Sequence, residues 1–191
     1  IALRRGISLI YGNGSRAAFY GGLAAKLAGI PLVWHCRIAD RDPWLDGIIS
    51  VLAHRIVANS HATAARFAGP AQAKVTVVHN GIDLARFSEK VAMPGSVHCD
   101  PAWRILLVVA RASRTKRHDV VLSAFESVAQ DHPDVHLFCI GARDDAEPQW
   151  WSLLQTRTQD SPFAERIHWP GDMDDVRPWY QRASALVLAS E

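Results

Sequence analysis

Four cations, Arg111, Arg114, Lys116 and Arg117, fall within seven residues, where the apolar run Ile105 to Val109 gives way to an amphipathic stretch beginning near His118. Positive side chains gathered at one turn are suited to hold an anion, and phosphate above all. Arg offers a planar fork for two phosphate oxygens, and Lys a point charge. The same residues in a surface loop would serve equally as solvated charge, so the element that carries them decides between the two. Ile105 to Val109 is too short and too rich in β-branched residues for a helix, and it reads as a buried strand of a parallel sheet. Arg111 then lies at that strand's carboxyl end. In open α/β sheets ligands bind there, and the next helix aims its partly positive amino end at the same place.

Other candidates are weaker. His35 is a single imidazole at the carboxyl end of the strand expected at Leu32 to Trp34, where it would face the ligand edge or serve as a hydrogen-bonded structural residue. Gly12-Asn13-Gly14 follows a strand and precedes a helix, and it reads first as a tight turn. It lacks the third glycine of G-x-G-x-x-G, and no G-x-x-x-x-G-K-[ST] occurs, so neither a dinucleotide fingerprint nor a P-loop is present. Asn80-Gly81 is a strong turn former. His35-Cys36 and His98-Cys99 have metal-ligand chemistry without C-x-x-C or H-x-x-x-H spacing, and no metal site is expected. The three cysteines, Cys36, Cys99 and Cys139, are odd in number and unpaired in spacing, which points to a reducing compartment.

The elements that position these groups alternate strand and helix. In the first half, Ile7 to Tyr11 reads as a strand, and Ser15 can cap a helix to about Leu27. Leu32 to Trp34 is the next strand, followed by a helix from about Trp44 to Ala53 and the strand Arg55 to Ala58. Asn59-Ser60 caps a third helix to about Phe67, and Lys74 to Val78 forms a strand. From Asp83 to Ala102 the period dissolves among Pro94, Gly95 and Pro101, which reads as an interdomain linker. In the second half come the strand before Arg111, a helix from about His118 to Gln130, the strand Val135 to Ile140 ending at Gly141, and helix around Pro148 to Thr158. The strand Arg166 to Trp169 ends at Pro170-Gly171, and the helix Val176 to Arg182 leads to the strand Ala185 to Leu188. Regular βα alternation predicts two parallel-sheet domains, 1–83 and 103–191, joined by 84–102.

Composition narrows the function classes. The 191 residues carry a net charge of +2. Residues 1–100 hold 11 Lys/Arg against 6 Asp/Glu, and residues 101–191 hold 10 against 13. The basic first half suits an anionic acceptor or membrane surface, but it lacks the basic-and-aromatic stripe of a nucleic-acid binder, and no nucleic-acid partner is expected. No apolar run approaches the roughly 20 residues that span a bilayer. The chain does not begin with Met and is expected to be an internal piece of a longer protein.

The segments IVANSHATAARF, KVTVVHNGIDLARF, ILLVVARASRTKRHDVVLSAF, HLFCIGA and RIHWPGDMDDVRPWYQRASALVLASE follow one another in an order and spacing that resembles the retaining GT-B glycosyltransferases, the large family with sucrose synthase-like and mannosyltransferase-like members. The resemblance covers nearly the whole chain. It implies an α/β fold of two Rossmann-like domains with parallel sheets facing a cleft, both incomplete here. The implied activity is transfer of a sugar from a UDP-sugar or GDP-sugar donor, held mainly by the second domain, to a glycan, lipid-linked or small-molecule acceptor on the first, with no metal. A cytoplasmic location follows from the resemblance, with possible peripheral contact at the inner face of a membrane.

Residue by residue, Arg111 and Lys116 match the family's Arg and Lys that bind the donor diphosphate. The family's glycines before the Arg and after the Lys are replaced by Ala110 and Arg117. Gly141 corresponds to the glycine closing the strand beside the donor, Gly171 and Met173 to the loop whose backbone faces the base, and Ser190 to the serine ending the next strand. His35 matches a first-domain histidine near the transferred sugar. Asn80-Gly81-Ile82-Asp83 matches a structural word that ends the first domain. The family's Glu-x7-Glu segment would follow Ser190, and Glu191 is too early to be its first member. Two other readings stay open at this level: a non-hydrolysing sugar-nucleotide epimerase on the same fold, and a non-catalytic nucleotide-sugar or glycan binder.

Overall fold

A computed structural model describes residues 6–95 and 97–190. The chain divides into two compact units, Ile1–Ile82 and Asp83–Glu191, and each is described by itself.

The first unit is a four-stranded, all-parallel sheet in sequential order: β1 (Ile10–Asn13), β2 (Leu32–Cys36), β3 (Arg55–Ala58) and β4 (Val75–Val77). Helices α1 (Ser15–Ala28), α2 (Pro43–Leu52) and α3 (His61–Ala64) connect them. Burial along β2 alternates, with Leu32, Trp34 and Cys36 inside and Val33 and His35 half-buried. Leu32, Trp34, Ile49, Ile56 and Phe67 make up most of the apolar core on one face, each large side chain worth roughly 1.5–3 kcal/mol when fully buried. Asp42 caps α2 by accepting the Leu45 N–H at 3.0 Å, and Asp46 accepts the N–H of Asp42 in return.

β1 lies further along the chain than the apolar pattern predicts. Gly12 and Asn13, which read as turn residues, pair with Trp34 and His35, while Ile7 and Leu9 stay about half exposed. The reason is tertiary: a Cβ on Gly12 would sit 2.5 Å from the Cα of Ala18, so only glycine lets α1 pack this close to the strand. Ser15 does not cap α1; Gly14 takes the cap position and no side chain contributes. Ser60 does cap α3, accepting the Thr63 N–H at 3.0 Å, but that helix ends at Ala64, and a 3₁₀ turn spans Gly69–Lys74.

The second unit is again a four-stranded parallel sheet, in the order β7-β6-β5-β8, formed by β5 (Arg104–Val109), β6 (Val135–Ile140), β7 (Ile167–Gly171) and β8 (Ala185–Leu186). Every residue of β6 is buried, as befits a strand covered on both faces. Leu106, Val108, Leu137 and Cys139 face helices α5 (His118–Asp131) and α6 (Pro148–Gln159). Ile105, Leu107, Phe138 and Ile140 face Trp179 of α7 (Arg177–Arg182).

The segment expected as a linker, 84–102, is counted with the second unit and packs on it. It contains the short helix α4 (Leu84–Ser88), and Met93, Val97 and Cys99 lie against the Ile105–Trp179 cluster. Arg177 fastens it by donating to the carbonyl of Arg86 and to Glu89, at 2.9 and 3.0 Å.

Candidate functional site

The carboxyl ends of β5, β6 and β7 converge on Gly141. Its φ of +140° belongs to glycine, and a Cβ there would lie 2.3 Å from the carbonyl oxygen of Ala110 and 3.2 Å from the amide nitrogen of Arg111. Gly141 donates its N–H to the carbonyl of Gly171 at 2.9 Å, and Ala112 donates to the carbonyl of Ala142 at the same distance. The peptide that carries Arg111 is thus pinned against the glycine that ends the neighbouring strand, and that glycine against Gly171 of the third. Sequence reading brought these three residues together, and they do meet at one edge.

Two cavities open at this edge. One, of about 250 Å³, is lined by Val109, Ala110, Arg111, Ile140, Gly141, Ala142, Asp172 and Val176. The other, of about 360 Å³, is lined by Gly141, Ala142, Arg143, Asp145, Trp151, Trp169, Gly171 and Asp172. They share Gly141, Ala142 and Asp172.

The four cations do not stand alike. Arg111 keeps a largely exposed guanidinium, 3.7 Å from the Asp144 carboxylate, which is an ion pair too long for a hydrogen bond and open to a competing anion. Arg114 lies over the ring of Trp150 at 5.0 Å and 3.8 Å from Glu147. Arg117 bonds Asp119 at 3.1 Å and holds its carboxyl below the usual range. Arg117 is also the one described non-glycine residue with positive φ, +48°, which explains why the resembling family places glycine there. Lys116 ends a 3₁₀ turn, Arg114–Lys116, just before α5; it has no carboxylate within ion-pair distance among the described residues, and it lines neither cavity.

Met173 packs with the Ile105–Trp179 cluster, so its side chain serves the core. Ser190 is exposed, three residues beyond Val187, whose N–H still bonds the carbonyl of Leu107. His118, the first residue of α5, is buried beside Trp169 with neither ring nitrogen bonded among the described residues, and burial lowers its pKa. Sequence reading missed Trp151, Trp169 and Asp172. Only the position of Asp172, directly after a strand-ending glycine, could have signalled it.

His35 belongs to the first unit. It lies one residue before the end of β2, paired with Asn13 and Val57, so it sits inside the ladder and not past its end. Its Nδ1 is hydrogen-bonded to the Tyr11 hydroxyl at 2.5 Å, and its Nε2 is buried with no partner among the described residues. A cavity of about 370 Å³ at this sheet's carboxyl edge is lined by Asn13, Gly14, Ser15, Arg37, Ile38 and Asn59, without His35.

The largest cavity described, about 500 Å³, lies elsewhere in the first unit, between α2 and the 3₁₀ turn. Its buried cation Arg66 is taken by Asp46, and Lys74 donates to the carbonyls of Ser50 and Ala53 at the end of α2. Arg66, Asp46 and Lys74 are therefore spent on the fold, while Arg41 at the rim is exposed. Among the described residues no three His, Cys, Asp or Glu side chains gather to hold a metal ion, and no helix is long and apolar enough to cross a membrane.

Comparison with known proteins agrees with this architecture. Residues 1–86 match the family model for glycosyltransferase family 4, and residues 103–191 match that for glycosyl transferases group 1. A D-inositol 3-phosphate glycosyltransferase of Mycolicibacterium gilvum (strain PYR-GCK) is 33% identical over 145 residues, covering 72% of this chain and 32% of that protein. Among solved structures, Anabaena HepE in complex with UDP superposes with a TM-score of 0.80 at 20% identity, over 98% of this chain and 54% of the other. Sucrose-phosphate synthase from Thermosynechococcus elongatus gives 0.76 at 16% identity, over 99% and 52%. The chain thus spans about half the length of these structures and about a third of the curated relative. With one glycosyltransferase model on each unit and two parallel sheets of the matching fold, the chain belongs to the GT-B glycosyltransferases.

Proposed function

We propose that the whole protein transfers a sugar from a nucleoside-diphosphate sugar to an acceptor, with retention, and that the edge formed by Arg111, Gly141 and Gly171 holds the donor. The observation that carries this reading is the Arg111 guanidinium, exposed beside a cavity and held only loosely by Asp144. As the glycosidic bond breaks, the leaving diphosphate gains negative charge. A fixed cation stabilises that charge more in the transition state than in the ground state, which is the condition for catalysis.

Arg111 would grip the diphosphate through its fork, and Lys116 would add a second charge from the turn before α5. The backbone around Gly141, Gly171 and Met173, together with Ser190, would contact the nucleotide, and His35 would stand near the transferred sugar. Charge neutralisation falls to side chains and the α5 amino end, without a resident metal. The nucleotide part of this reading is supported by HepE, solved in complex with UDP and with UDP-glucose. The acceptor part draws on the curated relative, named for D-inositol 3-phosphate, and on the basic first hundred residues. A glycan or lipid-linked acceptor, met in the cytoplasm or at the inner face of a membrane, fits the same charge.

The test is titration of UDP and GDP into the whole protein and its Arg111→Ala variant by calorimetry. A tenfold or greater loss of affinity for both nucleotides is expected, because both present the same diphosphate. Equal affinity in the two proteins would remove Arg111 from the site.

A further inference from the structure

We propose that Asp172 makes the donor site select guanine over uracil, an inference that rests on the nucleotide-sugar reading above. Asp172 lines both cavities at the strand ends, the one beside Arg111 and the one walled by Trp151 and Trp169. Two carboxylates nearby are engaged: Asp144 pairs with Arg111, and Asp145, which also lines the larger cavity, pairs with Arg143 at 3.0 Å. Asp172 makes no hydrogen bond or ion pair among the described residues.

Asp172 is exposed, so water serves it in the free protein, but bound phosphates repel it, and it favours a ligand only where it meets hydrogen-bond donors on another part of that ligand. The arrangement separates the two needs. The smaller cavity has Arg111, whose ion pair is long, and suits the diphosphate; the larger, whose Arg143 is paired with Asp145, has two tryptophans and the volume for a planar base, which aromatic side chains bind through its face. An ionised carboxylate is acceptor-only and takes two adjacent N–H donors at once. Guanine offers such a pair, its ring N1–H and its exocyclic amino group. Uracil offers one N–H between two carbonyl oxygens, which a carboxylate repels. A site whose polar group is left unmatched discriminates strongly against the unmatched ligand.

The experiment is calorimetric titration of GDP, UDP and inorganic pyrophosphate into the whole protein and into Asp172→Asn. Asn keeps the size but turns one acceptor into a donor, and at an exposed position it leaves the fold intact, which circular dichroism checks. The expected result is GDP binding at least about tenfold tighter than UDP, with that preference lost in Asp172→Asn through weaker GDP and equal or tighter UDP binding, while pyrophosphate changes less than about twofold. UDP binding as tightly as GDP in the unsubstituted protein would overturn the proposal. So would an equal loss for both nucleotides in Asp172→Asn, which would place the carboxylate on the ribose shared by both. If neither the nucleotides nor pyrophosphate bind, the donor-site reading fails and this proposal falls with it; if pyrophosphate binds and no base preference exists, only the proposal falls.

Discussion

Gly141 leaves no room for a side chain against Ala110: a Cβ atom would stand 2.3 Å from that residue's carbonyl oxygen, in a backbone conformation of φ +140° that other residues avoid. Both obstacles must be overcome at once in Gly141→Ala, by straining φ and by pushing back the peptide that carries Arg111. The expected destabilisation is about 3 kcal/mol. Urea unfolding should show a lower midpoint at unchanged slope, and nucleotide affinity should fall in the protein that remains folded, because Arg111 moves with its peptide. An alanine variant of ordinary stability would show that the strand ends have more slack than this packing allows.

How much of this was legible in the sequence depends on how local the cause is. Val135 to Ile140 with its closing glycine was read residue for residue, since an unbroken apolar run ended by glycine needs no partner to be recognised. β1 was displaced because Gly12 looks like a turn residue, and its real role, contact with Ala18, is set by packing. The anchoring of 84–102 was invisible because Met93, Val97 and Cys99 hold it as separate points with no period. At the site, Arg111 and the two glycines follow from strand ends, which sequence can place. The sorting of Arg114 from Arg111 depends on Trp150 and Glu147, more than thirty residues away, and the walls Trp151, Trp169 and Asp172 are joined only by folding.

Arg117 occupies the left-handed region, at φ +48°, and bonds Asp119. Arg117→Ala keeps the strain and loses the pair, whereas Arg117→Gly loses the pair and removes the strain. The glycine variant should therefore be the more stable of the two by about 1 kcal/mol, read from chemical denaturation at low salt. The reverse order would mean that this residue's conformation is not the source of strain.

His136 and His168, on adjacent strands, share a hydrogen bond at 3.0 Å and stack with Trp103 and Phe138. Burial, with smaller contributions from His136 and His98, lowers the His168 pKa to about 4. Burial and then Arg166 lower that of His136, against the opposing pull of Asp100 and Asp134. The unfolded chain, whose imidazoles titrate near their ordinary value of about 6.5, binds these protons more readily than the folded one. Stability is therefore full above about pH 6.5 and falls as the pH drops toward about 4. His168→Gln keeps a hydrogen-bonding group and removes one titration, so the loss of unfolding free energy between pH 7.5 and 4.5 should shrink by about 2 kcal/mol at most, allowing for partial solvent access. An unchanged pH profile would move the acid sensitivity to other groups.

Arg66 and Asp46 form a buried pair in the first unit, with the Arg66 Nη2 at 2.5 and 2.6 Å from the two carboxylate oxygens and Nε at 3.1 Å from one of them. Arg66 also donates to the carbonyl of Ile38, so one side chain ties α2 to the loop after β2. Removing either partner strands a charge where water barely reaches, and Arg66→Met or Asp46→Leu alone should cost about 3–5 kcal/mol. The double variant removes both charges together and should recover most of that loss, because apolar side chains of similar size fill the space without a desolvation penalty. A thermodynamic cycle over the four proteins measures the coupling. The same variants test what the largest cavity is for: since its buried ion pair and Lys74 serve α2, Arg66→Met should leave nucleotide affinity unchanged at a temperature where it is folded, and a parallel loss of binding would tie that cavity to nucleotide binding.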